Sequence, residues 1–265
     1  MTIFRKELCL IRGGGDIATG VVSRLHHAGF PIVVTELPFP LAVRRSVSVA
    51  NAVYEKSTHI ENMSVQLVDS VSKAITKSRE GIVAVLVNEG IPKIDASIVI
   101  DGRLAKKNID TTISDANIVV GLGPGFTAGR DCDFVIETKR GHFLGRVIKD
   151  GKAIENTGRP EPVEGRGDER VLRSPKDGQV HWNVEIGESV VRNQTLGSIA
   201  EETINAPFDG VVRGLIHPLV MTKQNMKIGD IDPRQTDNWR YISDKALSIG
   251  GGDRKSTRLN SSHRC

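Results

Sequence analysis

Residues 8–36 read LCLIRGGGDIATGVVSRLHHAGFPIVVTE, and this stretch decides the fold of the first half of the chain. Its opening apolar run predicts a β-strand, and apolar residues at helical spacing predict a helix over Ile17–Ala28. A second apolar run, Ile32–Thr35, predicts another strand that ends at Glu36. Strand, helix and strand in this order predict a parallel sheet covered by helices.

Later apolar runs extend this pattern. They predict a helix over Val71–Arg79 and strands over Ile82–Val87, Ile98–Ile100, Ile118–Val120 and Phe134–Glu137. We therefore expect an α/β, Rossmann-like glycine-loop domain over residues 1–157. The polar, Gly- and Pro-rich residues 158–170 predict a linker, and residues 171–235 a small all-β domain.

An internal echo characterises the β domain. Ser174–Val180 recurs as Ala206–Val212, with proline and glycine at matching places. Two matching turn units predict a pseudo-symmetric barrel-sandwich, similar to biotinyl/lipoyl domains. Those domains carry a modified lysine on a hairpin, and the corresponding residues 197–203 contain no lysine. We therefore expect no protein-bound biotin or lipoate.

The end of the chain differs in character from the rest. Residues 236–252 predict a truncated C-terminal segment with a capped helix start at Ser243, and residues 253–265 resemble the translation of a sequencing adapter. The formal net charge is +4, from 36 basic and 32 acidic residues. Without the four basic residues and one acidic residue of 253–265 the balance is 32 to 31, or +1. The charge therefore indicates no nucleic-acid partner.

Cysteine content and hydropathy indicate in which cellular compartment the protein lies. The sequence has no apolar run near the roughly 18 residues of a membrane helix, and its start lacks a signal-peptide pattern. Three cysteines, Cys9, Cys132 and Cys265, lie far apart without a CxxC pair or metal-ligand spacing. We expect a cytoplasmic protein with no metal site and no membrane partner.

The first glycine loop is the main candidate for ligand binding. Gly13, Gly14 and Gly15 lie between a predicted strand and helix, which suits close approach of a phosphate to the helix N-terminus. Glu36, about 20 residues on, suits ribose hydroxyls. Asp16 either repels a pyrophosphate or caps the helix. The alternative is a glycine turn with no nucleotide.

A second glycine loop, GLGPGFTAG, follows the strand predicted at 118–120. Gly121, Gly123 and Gly125 predict a nest of N–H groups for an anion, to which Thr127 adds a hydroxyl; a rigid connector is the alternative. Loops after parallel strands lie at the same sheet edge, so both glycine loops predict one site.

Other polar residues are weaker candidates. Arg44 and Arg45 are either anion ligands or a solvated pair. Cys132 lies between two aspartates, which predicts a raised thiol pKa and an unreactive cysteine. His142 follows the cluster ETKR and is either an acid/base or an exposed histidine. We assign no catalytic residues.

Five segments carry a resemblance to a known family. The strings IRGGGDIATGVVSRLHHAGF, TELPFPLAVRRSVSVANAVYE, VVGLGPGFTAG, VIETKRGHFLGRVI and SDKALSIGGG resemble, in this order, the YqeB family. The resemblance covers nearly all of residues 7–252. It implies a maturation factor for selenium-dependent molybdenum hydroxylases, with an XdhC-like Rossmann region.

The resemblance and the loops together give one expectation and two alternatives. We expect an accessory factor that binds a nucleotide or the dinucleotide form of the molybdenum cofactor, with a molybdenum hydroxylase client or another maturation protein as partner. An NAD(P)-dependent oxidoreductase is one alternative, although only two tyrosines exist and Tyr54 precedes Lys56 by two positions, not by the i+4 helix spacing. A non-catalytic binding or scaffold module is the other.

Overall fold

The computed structural model of the chain describes residues 3, 4, 6–155 and 164–261, with side chains as far as Asp253. The chain forms two compact units. Unit 1 comprises Met1–Pro38, Val49–Thr157 and Ile242–Cys265, and unit 2 comprises Phe39–Ser48 and Gly158–Tyr241. Among the described residues, no helix has both the length and the apolar character needed to cross a membrane.

Unit 1 is built on a large sheet. Its strands are β1 Cys9–Arg12, β2 Ile32–Glu36, β3 Ser57–Ile60, β4 Met63–Val68, β5 Val83–Val87, β6 Ile98–Asp101, β7 Ile118–Leu122, β8 Thr127–Ala128, β9 Phe134–Ile136, β10 Val147–Ile148 and β11 Gly151–Lys152. Its helices are α1 Asp16–His27, α2 Ala52–Glu55, α3 Val71–Arg79 and α4 Asp244–Ser261. The nine-stranded order is β10-β9-β7-β6-β1-β2-β5-β4-β3, and β8 and β11 form a separate pair.

Buried apolar residues cover both faces of this sheet. Cys9 and Ile11 of β1 join one core with residues of α1 and α4, while Leu10 joins a second core with Ala74 of α3. Alternate residues of a strand point to opposite faces, so the apolar run of β1 supplies both cores. This double burial positions the strand ends, and hence the loops that follow them.

The Rossmann-like expectation, and with it the XdhC-like one, is wrong. The nine-stranded sheet is mixed, because β3 pairs antiparallel with β4 at one end and β10 with β9 at the other. The connections from β6 to β7 and from β7 to β9 contain no helix. A doubly wound domain needs helices at these crossovers, and loops replace them here.

Helix α4 packs closely on α1. A Cβ on Gly20 of α1 would overlap the backbone of Ala246, and a Cβ on Gly250 would overlap the Gly20 carbonyl. Ala246 and Ile249 are fully buried in the core that α1 lines. The predicted helix start is confirmed, because the Ser243 hydroxyl accepts the Ala246 N–H at 3.2 Å. The helix continues through Gly250–Gly252 and into the adapter-like segment.

The described residues of unit 2 form seven strands in two antiparallel sheets. They are β12 Val171–Arg173, β13 His181–Trp182, β14 Ser189–Val190, β15 Thr195–Ile199, β16 Glu202–Asn205, β17 Gly210–Leu215 and β18 Lys227–Asp232. One sheet has the order β12-β18-β17-β14 and the other β13-β15-β16. The predicted hairpin lies at β15–β16, with Ala200 and Glu201 at its tip in the left-handed region (φ 45° and 69°).

The barrel-sandwich expectation is also wrong. The internal echo repeats a buried turn, since Val180 and Val212 are both fully buried. However, the first copy leads into β13 of the three-stranded sheet, whereas the second leads into β17 of the four-stranded sheet. Equivalent turns therefore start strands with different partners. Of the predicted linker, residues 158–163 lie outside the described residues, and Arg170 is buried beside Asp230 at 3.3 Å.

Candidate functional site

The first glycine loop connects β1 to α1. Gly13 has φ +86°, and a Cβ there would lie 3.0 Å from the Arg103 Cα, so the position requires glycine. Its N–H donates to the Thr35 carbonyl at 2.9 Å, which ties the loop to the end of β2. A Cβ on Gly14 would lie 2.7 Å from the Val49 side chain. Both glycines are therefore needed by the fold itself.

Glu36 lies against this loop. Its Oε1 accepts the Gly14 N–H at 2.6 Å, and its Oε2 accepts the Leu37 N–H at 2.8 Å. Burial raises the pKa of Glu36, and the two backbone hydrogen bonds oppose that rise. The carboxylate predicted to bind ribose thus also holds the loop to β2, and each oxygen retains a lone pair for a hydroxyl.

Gly15 and Asp16 start helix α1. Gly15 is the N-cap residue, with φ −64° and ψ 176°, and supplies no side-chain cap. A Cβ on Gly15 would meet nothing within 4 Å. Asp16 is the first helical residue, so it does not occupy the N-cap position. The positive dipole end of α1 therefore lies beside Gly15, where a Cβ would meet no other atom.

The second glycine loop folds back tightly after β7. The Gly123 N–H donates to the Ile136 carbonyl at 2.9 Å. A Cβ on Gly121 would overlap the Phe126 ring, and one on Gly125 would lie 2.6 Å from the Lys107 backbone. Thr127 begins β8, and its N–H donates to Asp131 Oδ2 at 2.8 Å. Close packing therefore explains these glycines without a ligand.

Two cavities flank Pro124 of this loop. The smaller, about 250 Å³, is lined by Ile17, Leu104, Lys106, Leu122, Pro124, Thr138 and Lys245. The larger, about 350 Å³, is lined by Lys106, Pro124, Gly125, Thr127, Arg130, Lys152, Ala153 and Glu155. Of the predicted site residues, Gly125 and Thr127 line the larger cavity. The predicted residues of the first glycine loop line neither cavity, but Ile17, the residue after Asp16, lines the smaller cavity.

The β6–β7 connection has an unusual backbone where it borders these cavities. Leu104 (φ 53°) and Lys106 (φ 63°) both lie in the left-handed region, and both line the smaller cavity. Side chains other than glycine rarely adopt this conformation, which costs about 1–3 kcal/mol at each residue. Such strain is common where a loop positions side chains for a ligand. Lys106 is a strained residue of this loop that lines both cavities.

A network of charges at the same sheet edge was not predicted from the sequence. The Arg12 guanidinium is 1% exposed and donates to Thr111 Oγ1 at 2.7 Å and to Asp110 Oδ2 at 2.9 Å. Arg103 donates to Asp101 Oδ2 at 2.6 Å. The hydrogen bond from Arg12 lowers the pKa of Asp110, which partial burial opposes. Two arginines and two aspartates thereby anchor the strained β6–β7 connection.

The remaining predicted candidates have structural contacts. Arg44 donates to the Tyr241 carbonyl at 3.0 Å and Arg45 to the Leu215 carbonyl at 2.8 Å, so both bind the main chain of unit 2. His142 is exposed beside Phe143. Burial raises the pKa of Cys132 to about 12, and the neighbouring aspartates add to that rise, as predicted. Among the described residues, no His, Cys, Asp and Glu side chains group as a metal site.

One curated relative covers most of the chain. The chain is 42% identical over 250 residues, 93% of its length, to "Uncharacterized protein YqeB" of Escherichia coli (strain K12). This similarity supports the resemblance to the YqeB family. The chain spans 46% of that relative, about half its length. No protein-family model matches the chain. The relative's name states no function, so the molybdenum role stays a prediction.

Solved structures resemble the chain only weakly. They include a succinylglutamate desuccinylase/aspartoacylase of Rhodobacter sphaeroides, 16% identical over 27% of this chain and 24% of that one, with a TM-score of 0.24. An aspartoacylase family protein of Mesorhizobium loti is 13% identical over 85% and 84%, with a TM-score of 0.25. The ectoine utilization protein EutE (DoeB) of Ruegeria pomeroyi is 12% identical over 85% of each chain, with a TM-score of 0.26. Scores this low carry no argument about this chain's chemistry.

Proposed function

We propose that the chain is an accessory factor for the maturation of selenium-dependent molybdenum hydroxylases, and that it binds a phosphate-bearing ligand at the start of α1. The ligand of this proposal is a nucleotide or the dinucleotide form of the molybdenum cofactor. One observation carries the binding part: Ile17, in the first turn of α1, lines a cavity together with Lys106 and Lys245.

The chemistry of this cavity favours an anion. Backbone amides at a helix N-terminus and the helix dipole both attract negative charge. Two lysines add full positive charges at the same cavity. Lys106 lies on the strained β6–β7 connection and Lys245 in the first turn of α4, so separate elements position them.

Two carboxylates near the loop repel an anion and so limit where a phosphate can bind. Asp16 lies in the first turn of α1, and Glu36 binds the Gly14 N–H. The Gly13 and Gly14 amides already donate within the protein, so the proposal assigns the phosphate to the N-terminal end of α1 and its dipole. Glu36 remains suited to a ribose hydroxyl, because a hydroxyl can donate to a carboxylate that already accepts backbone N–H groups.

In this proposal, unit 2 binds the protein partner. Val191, Leu219 and Met221 are each more than half exposed, and large apolar side chains on a surface suit a protein partner. We assign the molybdenum hydroxylase client or another maturation protein to this unit. Loss of co-purification with a client upon Met221→Asp and Val191→Asp, with ligand binding intact, is the expected result.

The ligand part is tested by thermal unfolding. NAD, NADP, ATP, CTP and a molybdopterin dinucleotide are compared on the wild type and on Gly15→Asp. A ligand at 100 times its Kd adds about 2.7 kcal/mol to the stability of the folded state. We expect stabilisation by the pterin dinucleotide that Gly15→Asp abolishes. Stabilisation by NAD or NADP alone would favour an oxidoreductase, and binding of none would favour a scaffold.

A further inference from the structure

The larger cavity contains an unsatisfied hydroxyl. Thr127 Oγ1 is buried and has no hydrogen-bond partner among the described residues. A buried polar atom without a partner is destabilising, and in native proteins another protein group, a ligand or an ordered water usually supplies the partner. Thr127 lines the cavity, so this hydroxyl lies in the cavity wall without a partner of its own in the described part of the chain.

Strand pairing places a lysine beside this hydroxyl. Lys152 of β11 is directly opposite Thr127 of β8 in the antiparallel pair. Side chains directly opposite each other in such a pair lie on the same face, about 5 Å apart at Cβ. Lys152 and Thr127 therefore line the cavity from the same side, and both are present in its wall.

The turn that carries Thr127 is held rigidly. Asp131 Oδ2 accepts the Thr127 N–H at 2.8 Å, and the Asp131 N–H donates to the Thr127 carbonyl at 2.9 Å. The same carboxylate pairs with Arg130 at 3.0 Å. One aspartate thus holds both the Thr127 backbone and the Arg130 side chain of the cavity wall.

Charge at the cavity is modestly positive. Lys106, Arg130 and Lys152 line it, against Glu155 in the wall and Asp131 paired with Arg130. Three cations against two carboxylates leave one positive charge, which suits a single oxyanion. Glu155 is exposed and therefore screened by solvent.

We infer that this cavity is a second oxyanion subsite, in which Thr127, Lys152 and Arg130 bind a second phosphate group of the ligand. The inference rests on the proposed function, because Lys106 and Pro124 line both cavities and so connect the two subsites. The ligand class is then a molecule with at least two phosphate groups, such as a dinucleotide with its pyrophosphate, and not a nucleoside monophosphate.

Inorganic phosphate is the probe, since it can occupy each subsite independently. Phosphate binding is measured by calorimetry and ³¹P NMR on the wild type, Lys152→Gln, Gly15→Asp and the control Lys149→Gln. Lys149 is exposed, lies three residues from Lys152 and lines neither cavity, so it matches the change in charge.

We expect two phosphates per chain in the wild type and in Lys149→Gln, and one in each of the other two variants. If Lys152→Gln binds as many phosphates per chain as the wild type, the second subsite is overturned, whether that number is one or two. Loss in Lys152→Gln with no effect of Gly15→Asp retains the second subsite and overturns the first. A wild type that binds no phosphate overturns both, and a Thr127 hydroxyl satisfied by water alone is then the remaining explanation.

Discussion

Replacing Gly15 with aspartate separates the folding role of the first glycine loop from its proposed ligand role. Gly15 has an ordinary N-cap conformation, φ −64° and ψ 176°, and open space where a Cβ would lie. Aspartate is among the best N-cap residues and glycine is only slightly worse. The substitution should therefore be accepted by the fold, unlike a substitution at Gly13 or Gly14.

The two expected effects have opposite signs. The cap and the helix dipole together should add about 0.5–1 kcal/mol to the free energy of unfolding. In a chain of this size that corresponds to a rise of about 1–4 °C in Tm. A carboxylate about 4 Å from a bound phosphate costs about 4 kcal/mol at an effective dielectric constant of about 20. The Kd of the ligand should then rise roughly a thousandfold.

The assay measures Tm and ligand Kd on the same samples. Gly251→Asp is the matched control, because Gly251 is exposed in α4 and a Cβ there would meet nothing within 4 Å. It introduces the same charge away from both cavities and should leave Kd unchanged. A folded Gly15→Asp protein with unchanged Kd would refute a phosphate at the start of α1. A lower Tm without ligand would refute the N-cap geometry.

Three further predictions concern stability and reactivity. Gly13→Ala should lower the free energy of urea unfolding by about 1–3 kcal/mol, because φ is +86° and the Arg103 Cα lies 3.0 Å from the new Cβ; equal or higher stability would contradict this. Burial raises the pKa of Asp253 from 3.8 to about 7, so the unfolded state ionises first and stability falls as pH rises from about 4 to about 7. Asp253→Asn should therefore raise the free energy of unfolding at pH 8 by up to about 4 kcal/mol, and with it Tm, but should change both little at pH 4. A rise in Tm that is equal at both pH values would contradict this prediction. Cys132 should react with iodoacetamide at pH 8 far more slowly in the folded than in the unfolded protein, as judged by peptide mass mapping, and equal rates would disprove its burial.

The local sequence pattern was sufficient to predict most of the strands of the large sheet. The helix Val71–Arg79 is confirmed with its predicted bounds, and the predicted strands near β1, β2, β5, β6 and β7 are confirmed to within two residues at each end. These strands are buried on both faces, which gives continuous apolar runs. The β3–β4 hairpin was missed, because β3 is mostly exposed and reads STHI, without an apolar run.

The Gly250–Gly252 run lies inside helix α4, against its intrinsic propensity. Three glycines disfavour a helix by roughly 1 kcal/mol each relative to alanine. Contact with other elements explains two of them, since a Cβ on Gly250 would overlap Gly20 and one on Gly252 would overlap Gly145. Packing between distant segments is not visible in local sequence, and here it overrides intrinsic propensity.

The candidate site was predicted only in part. Glycine loops are recognisable from sequence, and Gly125 and Thr127 do line a cavity. The lysines of the two cavities come from β11, α4 and the β6–β7 connection, so only tertiary structure brings them together. Asp101 carried one usable signal, because an acid directly after an apolar strand lies at the same sheet edge as Glu36.

The packing of α4 on α1 has a consequence for synthesis of the protein. Helix α4 belongs to unit 1, yet most of unit 2 lies between it and the rest of that unit in the chain. At about 5–20 residues per second, translation reaches Asp244 roughly 4–17 s after Thr157. For that interval the apolar face of α1 around Gly20 lacks its partner. The core around Gly20 of α1 is therefore completed only after the residues of unit 2 have been synthesised.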